Sequence, residues 1–302
     1  MLNNPSMYFH STPTSEKAKV VLFGVPMDFT VCFRPGARFG PAAIRQASYG
    51  LEHYSLQFGD TVLNRSYCDI GDLVLPFGNA SESIEQVEVL VRNLLKKNQL
   101  PFAFGGEHLI SLPVIRALYE RYPNLHVLHF DAHADLADVY FGERVTHATV
   151  MKRILDFLPL NQIFQFGIRS GDRAEDEFSK NIQQHRFHVL EPLKKVLAEI
   201  DNEAPLYLSL DIDVLDPAFA PGTGTPEAGG ITPNELFSAL ELLRGRNFVG
   251  ADLVEIAPQL DPTGCTAVLG AKVVREMLLS LFEHASNEYG KPSGEKTSAR
   301  KN

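Results

Sequence analysis

The chain has 302 residues, 44% of them hydrophobic and 22% charged, which is ordinary for a folded globular protein. Its formal net charge of −9 argues against nucleic acid or an anionic membrane surface as partner and suits a cationic small molecule. Three cysteines, Cys32, Cys68 and Cys265, are too few and too irregularly spaced for a zinc motif or a disulfide framework. They point to a reduced, cytoplasmic setting. No cationic stretch followed by an apolar core opens the chain, and no run approaches the roughly 20 apolar residues that span a bilayer.

Apolar strand-like runs alternate with amphipathic stretches from one end to the other. Residues 19–25 read as a strand and 41–49 as a helix that opens with proline. Residues 83–97 carry Ile84, Val87, Val91, Leu94 and Leu95 at helical spacing. A strand is expected over 100–104, a helix over 112–121, a strand over 125–130 and a helix over 148–157. Residues 162–168 read as a strand followed by a polar, charged stretch to 184. Strands over 205–210 and 248–255 flank a helix over 233–243, and a last helix covers about 267–282. Nearly all-apolar strands in βαβα alternation predict an α/β three-layer sandwich around a central, mostly parallel sheet. Residues 1–282 form one expected domain, and the polar stretch 283–302 an expected disordered tail.

Three strand-like runs end in metal-seeking side chains. They are Gly105-Gly106-Glu107-His108, Asp131-Ala132-His133-Ala134-Asp135 and Asp211-Ile212-Asp213. In parallel α/β sheets, ligands bind outside the carboxyl ends of the strands, which is where all three segments are expected. Within Asp131–Asp135 the ligand-type residues sit at i, i+2 and i+4, separated by alanines that leave room for ions. One such segment alone reads as easily as a polar loop or an Asx turn. Three with the same layout read as a two-metal hydrolase, whose paired cations are held by shared carboxylates and activate one water. Glu255 ends another strand, where a carboxylate can hold a guanidinium by a planar two-point contact. His147, in a loop, is a default surface histidine that in a hydrolase becomes the candidate proton shuttle. His126, His129, His185 and His188 lie in or beside apolar strands and read as structural. Gly222-Thr223-Gly224-Thr225-Pro226 lacks the lysine of a phosphate loop and reads as a tight turn at the pocket floor.

At this point the chain resembles the ureohydrolase family, the arginases, agmatinases and their relatives. The match is carried by Gly24-Val25-Pro26-Met27-Asp28 with Arg34-Pro35-Gly36-Ala37-Arg38, by the three segments above, by the run from Ser209 to Gly230, and by Asp252-Leu253-Val254-Glu255. The Arg-Pro-Gly-Ala-Arg segment and the glycine- and threonine-rich run after Pro221 look more like bacterial agmatinases than arginases. The resemblance implies an arginase-like fold and two manganese ions per chain, although the ligand types leave nickel, cobalt or zinc open. By motif position, His108, Asp131, Asp135 and Asp211 would hold one ion, and Asp131, His133, Asp211 and Asp213 the other. Asp135, Glu255 and His147 would be catalytic, with Glu255 holding the guanidinium and His147 relaying a proton. His147 is followed by Ala148, where many relatives have glycine. The family assembles as homotrimers or homohexamers.

The implied reaction is hydrolysis of a guanidino compound to an amine and urea, with agmatine giving putrescine as the leading expectation. Guanidinobutyrate, guanidinopropionate, arginine, guanidine and formiminoglutamate are the rivals. Asp138 and Glu143, in the loop after Asp135, are expected to face a cationic substrate tail, with Arg144 beside them. A single-zinc deacetylase of the same architecture would use neither His108 nor Asp135 as a ligand, and a non-catalytic homologue should have lost a ligand.

Overall fold

A computed structural model describes residues 2–3, 7–11 and 16–285. Most of the expected tail, residues 286–302, therefore lies outside the described residues. Glu283–Ala285, which that expectation included, form a short 3-10 turn with Ala285 buried.

The strands in chain order are β1 (Leu2–Asn3), β2 (Val20–Gly24), β3 (Tyr54–Ser55), β4 (Asp60–Thr61), β5 (Tyr67–Leu73), β6 (Leu100–Phe104), β7 (His126–Phe130), β8 (Ile163–Ile168), β9 (Gln183–Arg186), β10 (Leu206–Asp211) and β11 (Phe248–Val254). β3 and β4 pair only with each other, and the rest form one sheet in the order β1-β5-β2-β6-β11-β10-β7-β8-β9. Every pairing in it is parallel except that of β1 with β5. Side chains alternate between two apolar layers. Val20, Leu22, Phe102, Phe104, Leu128 and Phe130 face a core built with α1 (Gly40–Ser48), α6 (Leu190–Glu199), α7 (Pro233–Leu242) and α8 (Cys265–Leu281). Val21, Phe23, Ala103, Val127 and Tyr207 face another, built with α2 (Ala80–Lys96), α3 (Ser111–Arg121) and α4 (Val150–Ile154). Burial on both faces is why these strands read as unbroken apolar runs.

Five elements stand out as departures from the expected pattern. β5 has Asp69, Gly71 and Asp72 in its interior and carries no apolar run; its Asp69 is fully buried against Arg45 of α1. The polar stretch after β8 holds α5 (Arg173–Ser179) and the edge strand β9. α5 starts at an Asp172/Glu175 capping box, each side chain accepting the other's backbone N–H. α6 was not expected at all. α4 is shorter than expected, because its first turn is a 3-10 turn, His147–Thr149, and the chain leaves the helix at Leu155.

The strands that matter for the site are neighbours. β6, β11, β10 and β7 stand side by side at the centre of the sheet. Their carboxyl ends deliver His108, Glu255, Asp211 with Asp213, and the Asp131–Asp135 segment, respectively.

The Arg45 guanidinium has no solvent exposure, places Nε 2.6 Å and Nη2 2.9 Å from the two Asp69 carboxylate oxygens, and also pairs with Asp72. Arg45→Met would strand a buried carboxylate and should cost about 3–5 kcal/mol in chemical denaturation. Arg173→Ala, which removes an exposed pair with Glu177, should change stability by less than about 1 kcal/mol.

Candidate metal centre and cleft

One polar row crosses the otherwise apolar sheet. Register places Ala103, Asp252, Ser209, His129 and Gln165 side by side on β6, β11, β10, β7 and β8. All five are fully buried, one layer beneath the acidic segments. Ala103 apart, the members bond in two neighbouring pairs, Asp252 with Ser209 and His129 with Gln165, and upward. Ser209 Oγ donates to Asp252 Oδ1 at 2.9 Å and takes a bond from His108 Nε2 at 2.9 Å. The Tyr207 hydroxyl donates to the other Asp252 oxygen. His129 Nε2 lies 2.8 Å from Asp131 Oδ2, and the Gln165 amide bridges His129 Nδ1 and the Ala134 carbonyl. His129, read from the sequence as structural, thus braces a site carboxylate.

That bonding pattern decides the state of His108. With its Nε2–H committed to Ser209, Nδ1 is left bare, and no hydrogen bond reaches it. It faces Asp131, Asp211 and Asp135 oxygens at 3.0, 3.2 and 3.3 Å. Burial opposes a charge on His108, yet Asp131 and Asp211 hold its pKa well above the usual histidine range. The geometry demands positive charge at this point, as a second proton or as a metal ion. His133 Nδ1 stands 2.9 Å from Asp213 Oδ2, itself a buried oxygen without a hydrogen bond, and 3.5 Å from Asp131 Oδ1. Burial, then the neighbouring Asp131 charge, pushes Asp135 well above the usual carboxylate range; burial, then Asp213, does the same to Asp211. Burial also opposes charge on Asp131, but the surrounding His129, His108 and His133 hold it well below the usual range.

The donor atoms fall into two overlapping groups. His108, His129, Asp131 and Asp135 approach within 4.8 Å of one another, as do Asp131, His133 and Asp213, so Asp131 belongs to both. Asp211 joins the first group through its contact with His108, and its Oδ1 accepts the Asp213 N–H at 2.8 Å. Two orphaned buried atoms aimed at a cluster of four aspartates are a good fit to two cations sharing a carboxylate. Both Asp135 and Glu255 take up left-handed backbone at φ 53° and 64°. Such strain in non-glycine residues belongs to places where geometry is being enforced.

The cluster opens into a cleft of about 380 Å³ lined by His108, Asp131, His133, Asp135, Asp211 and Glu255 on its floor. Glu255 Oε1 accepts the His108 N–H at 2.7 Å, and burial, then Glu107, lifts its carboxyl to about 8. A guanidinium docked there would relieve that repulsion. His147 lines the same cleft, its pKa driven down to about 4 by burial, so its imidazole is neutral at pH 7.

The two acids expected to meet the substrate tail are placed elsewhere. Asp138 is 61% exposed and its carboxylate sits 2.6 Å from the Arg153 guanidinium, with Arg144 at 3.6 Å. Glu143 is exposed on a turn whose backbone pairs with Tyr140. Neither lines the cleft, although Val139 and Tyr140 between them do. The far wall carries Asp172 and Glu175 instead, with Ser170, Gly171, Tyr140 and Cys32. Sequence signals for that pair were available: a capping-box spacing directly after an apolar strand.

Comparison with known proteins agrees with this geometry. The Arginase family model matches residues 18–280. The chain is 47% identical to the agmatinase of Bacillus cereus over 277 residues, covering 90% of this chain and 95% of that one. It is 46% identical to the agmatinase of Bacillus subtilis, covering 92% and 97%. Among solved structures, the agmatine ureohydrolase of Thermoplasma volcanium superposes with a TM-score of 0.82 at 32% identity, covering 89% of this chain and 92% of that one. A family model spanning most of the chain, a sheet of the arginase type and a His/Asp cluster at its carboxyl edge lead to one assignment: the chain belongs to the arginase family, whose members hydrolyse guanidino and related amidine compounds.

Proposed function

We propose that this chain is an agmatinase, a cytoplasmic enzyme that holds two manganese ions per chain and cleaves agmatine to putrescine and urea. The observation that carries the substrate is the composition of the cleft wall. Glu255 at the floor suits the guanidinium, Asp172 and Glu175 suit a cationic tail, and no lysine or arginine is among the residues lining the cleft. A carboxylated tail, as in arginine or guanidinobutyrate, would lose its hydration there without gaining a cation.

His108, Asp131, Asp135 and Asp211 would hold one ion, and Asp131, His133, Asp211 and Asp213 the other. Six ligands of carboxylate and imidazole type, with no thiolate, suit manganese. When bound, such a pair would supply a water nucleophile at neutral pH and offset the negative charge on the attacking oxygen. The remaining chemistry falls to the chain itself. Glu255, backed by the His108 N–H, orients the guanidinium, Asp135 accepts a proton as the nucleophile forms, and His147 carries one to the departing amine. Assembly as a homotrimer or homohexamer is part of the same proposal. No helix among the described residues is long and apolar enough to cross a membrane.

Urea release assayed with manganese should favour agmatine over arginine by at least about a hundredfold in kcat/KM, or about 2.7 kcal/mol. Glu175→Gln should narrow that ratio by about tenfold, while Asp138→Ser, whose carboxylate is already paired with Arg153, should leave it unchanged. Arginine or guanidinobutyrate turning over faster than agmatine would contradict the substrate assignment. Asp211→Ala should lose bound metal and activity together, as read by elemental analysis on the same sample; full occupancy with normal turnover would contradict the ligand set.

A further inference from the structure

Behind His147, on the side away from the cleft, lies a chain of groups that the ligand set and the cleft wall do not use. Glu107 is fully buried and accepts two bonds from one residue: the Thr30 N–H at 2.8 Å on Oε2 and the Thr30 hydroxyl at 2.8 Å on Oε1. The Thr30 Oγ1 in turn accepts the His147 N–H at 3.0 Å and stands 3.3 Å from His147 Nδ1. The loop carrying Thr30 is pinned at its far end, where buried Asp28 accepts the Gly36 N–H at 2.9 Å and pairs with Arg38. The histidine is held from its own side too, on a turn capped by reciprocal Thr146 and Thr149 bonds.

Counting donors and acceptors fixes the imidazole. A threonine hydroxyl has one proton and two lone pairs. The proton goes to Glu107, and one lone pair takes the His147 backbone N–H. The second lone pair is left for Nδ1, which must therefore carry the hydrogen. The other ring nitrogen, Nε2, is then unprotonated and lies on the cleft side, 3.7 Å from Cys32 Sγ.

We infer that Thr30, backed by Glu107, is the positioning residue that sets the tautomer and ring orientation of His147, forming a carboxylate–hydroxyl–imidazole relay behind the cleft. This rests on the hydrolase reading above. The Nδ1–H tautomer leaves Nε2 able to take over the proton that Asp135 accepts as the nucleophile forms. Nε2 then gives that proton to the leaving nitrogen as its C–N bond breaks, and the imidazole ends neutral as it began. Glu107 and Thr30 exchange no proton with the substrate; they keep the acceptor pointing at it. Without the hydroxyl, the ring keeps only its bond to the Thr30 backbone and is held less firmly in the orientation that leaves Nε2 as the acceptor.

The test is a double-mutant cycle on agmatine hydrolysis with manganese, in the full-length protein. Thr30→Val, similar in shape but without the hydroxyl, should lower kcat by about tenfold or more while KM stays within about twofold. Thr30→Ser should restore most of the loss. In a His147→Ala background, followed by single-turnover urea release if steady state is too slow, Thr30→Val should cause no further loss. Metal content and thermal midpoint measured on each variant separate a folding defect from a positioning one. Equal losses in both backgrounds, or a Thr30→Val enzyme as fast as wild type, would overturn the inference while leaving the hydrolase reading standing. A wild-type enzyme inert toward every guanidino compound would overturn that reading, and this inference with it.

Discussion

Four aspartates buried within a few ångströms of one another are the constraint from which the rest of this structure follows. Like charges at such separations repel strongly in a low dielectric, and burial limits their screening by bulk solvent. The protein meets that cost in three ways. It spreads the cluster over adjacent parallel strands, so that each carboxylate is held by a rigid strand end. It sets His108 and His133 among the oxygens. It also leaves His108 Nδ1 and one Asp213 oxygen unsatisfied, facing the place where positive charge is missing. A stable fold tolerates such atoms where a cation completes them, which makes the cluster a functional feature rather than a structural one.

The polar row beneath the cluster has the same logic. Ser209, Asp252, His129 and Gln165 occupy positions where neighbouring residues of the same strands are apolar. Their hydrogen bonds determine which ring nitrogen of His108 is bare and which Asp131 oxygen is braced. Supports of this kind orient ligands and set their basicity, and losing one typically costs ten- to a hundredfold in metal affinity or activity. Behind His147, Thr30 and Glu107 repeat the device for the imidazole of the proposed proton carrier. Orientation by buried partners recurs on both sides of the cleft.

Legibility in the sequence tracked the strength of the local pattern. The central strands were readable because burial on both faces makes them continuously apolar, and the ligand segments were readable because they interrupt that pattern at one end. His108, Asp131, His133, Asp135, Asp211, Asp213, Glu255 and His147 lie together at the carboxyl edge of the sheet. β5 was not readable, since its Asp69 and Asp72 look like turn residues until Arg45 supplies their counter-charge across 24 and 27 positions. β9 is a short edge strand with few apolar residues, and α5 is a polar helix whose only strong signal is its cap. The acids expected to meet the substrate tail lie off the cleft for a related reason. Asp138 and Glu143 are near the ligands along the chain but exposed, with Val139 and Tyr140 between them lining the cleft, while Asp172 and Glu175 follow the neighbouring strand β8. Proximity along the chain is a weak guide where strand order places the next strand's loop over the cleft.

The central claim is that the buried carboxylates exist to hold two cations. Protein stripped with a chelator and titrated with manganese, with bound metal counted and thermal unfolding followed at each addition, tests it most directly. Binding to the folded state alone should raise the unfolding midpoint progressively, saturating at two ions per chain. Saturation at one ion, or a midpoint indifferent to the metal, would contradict it.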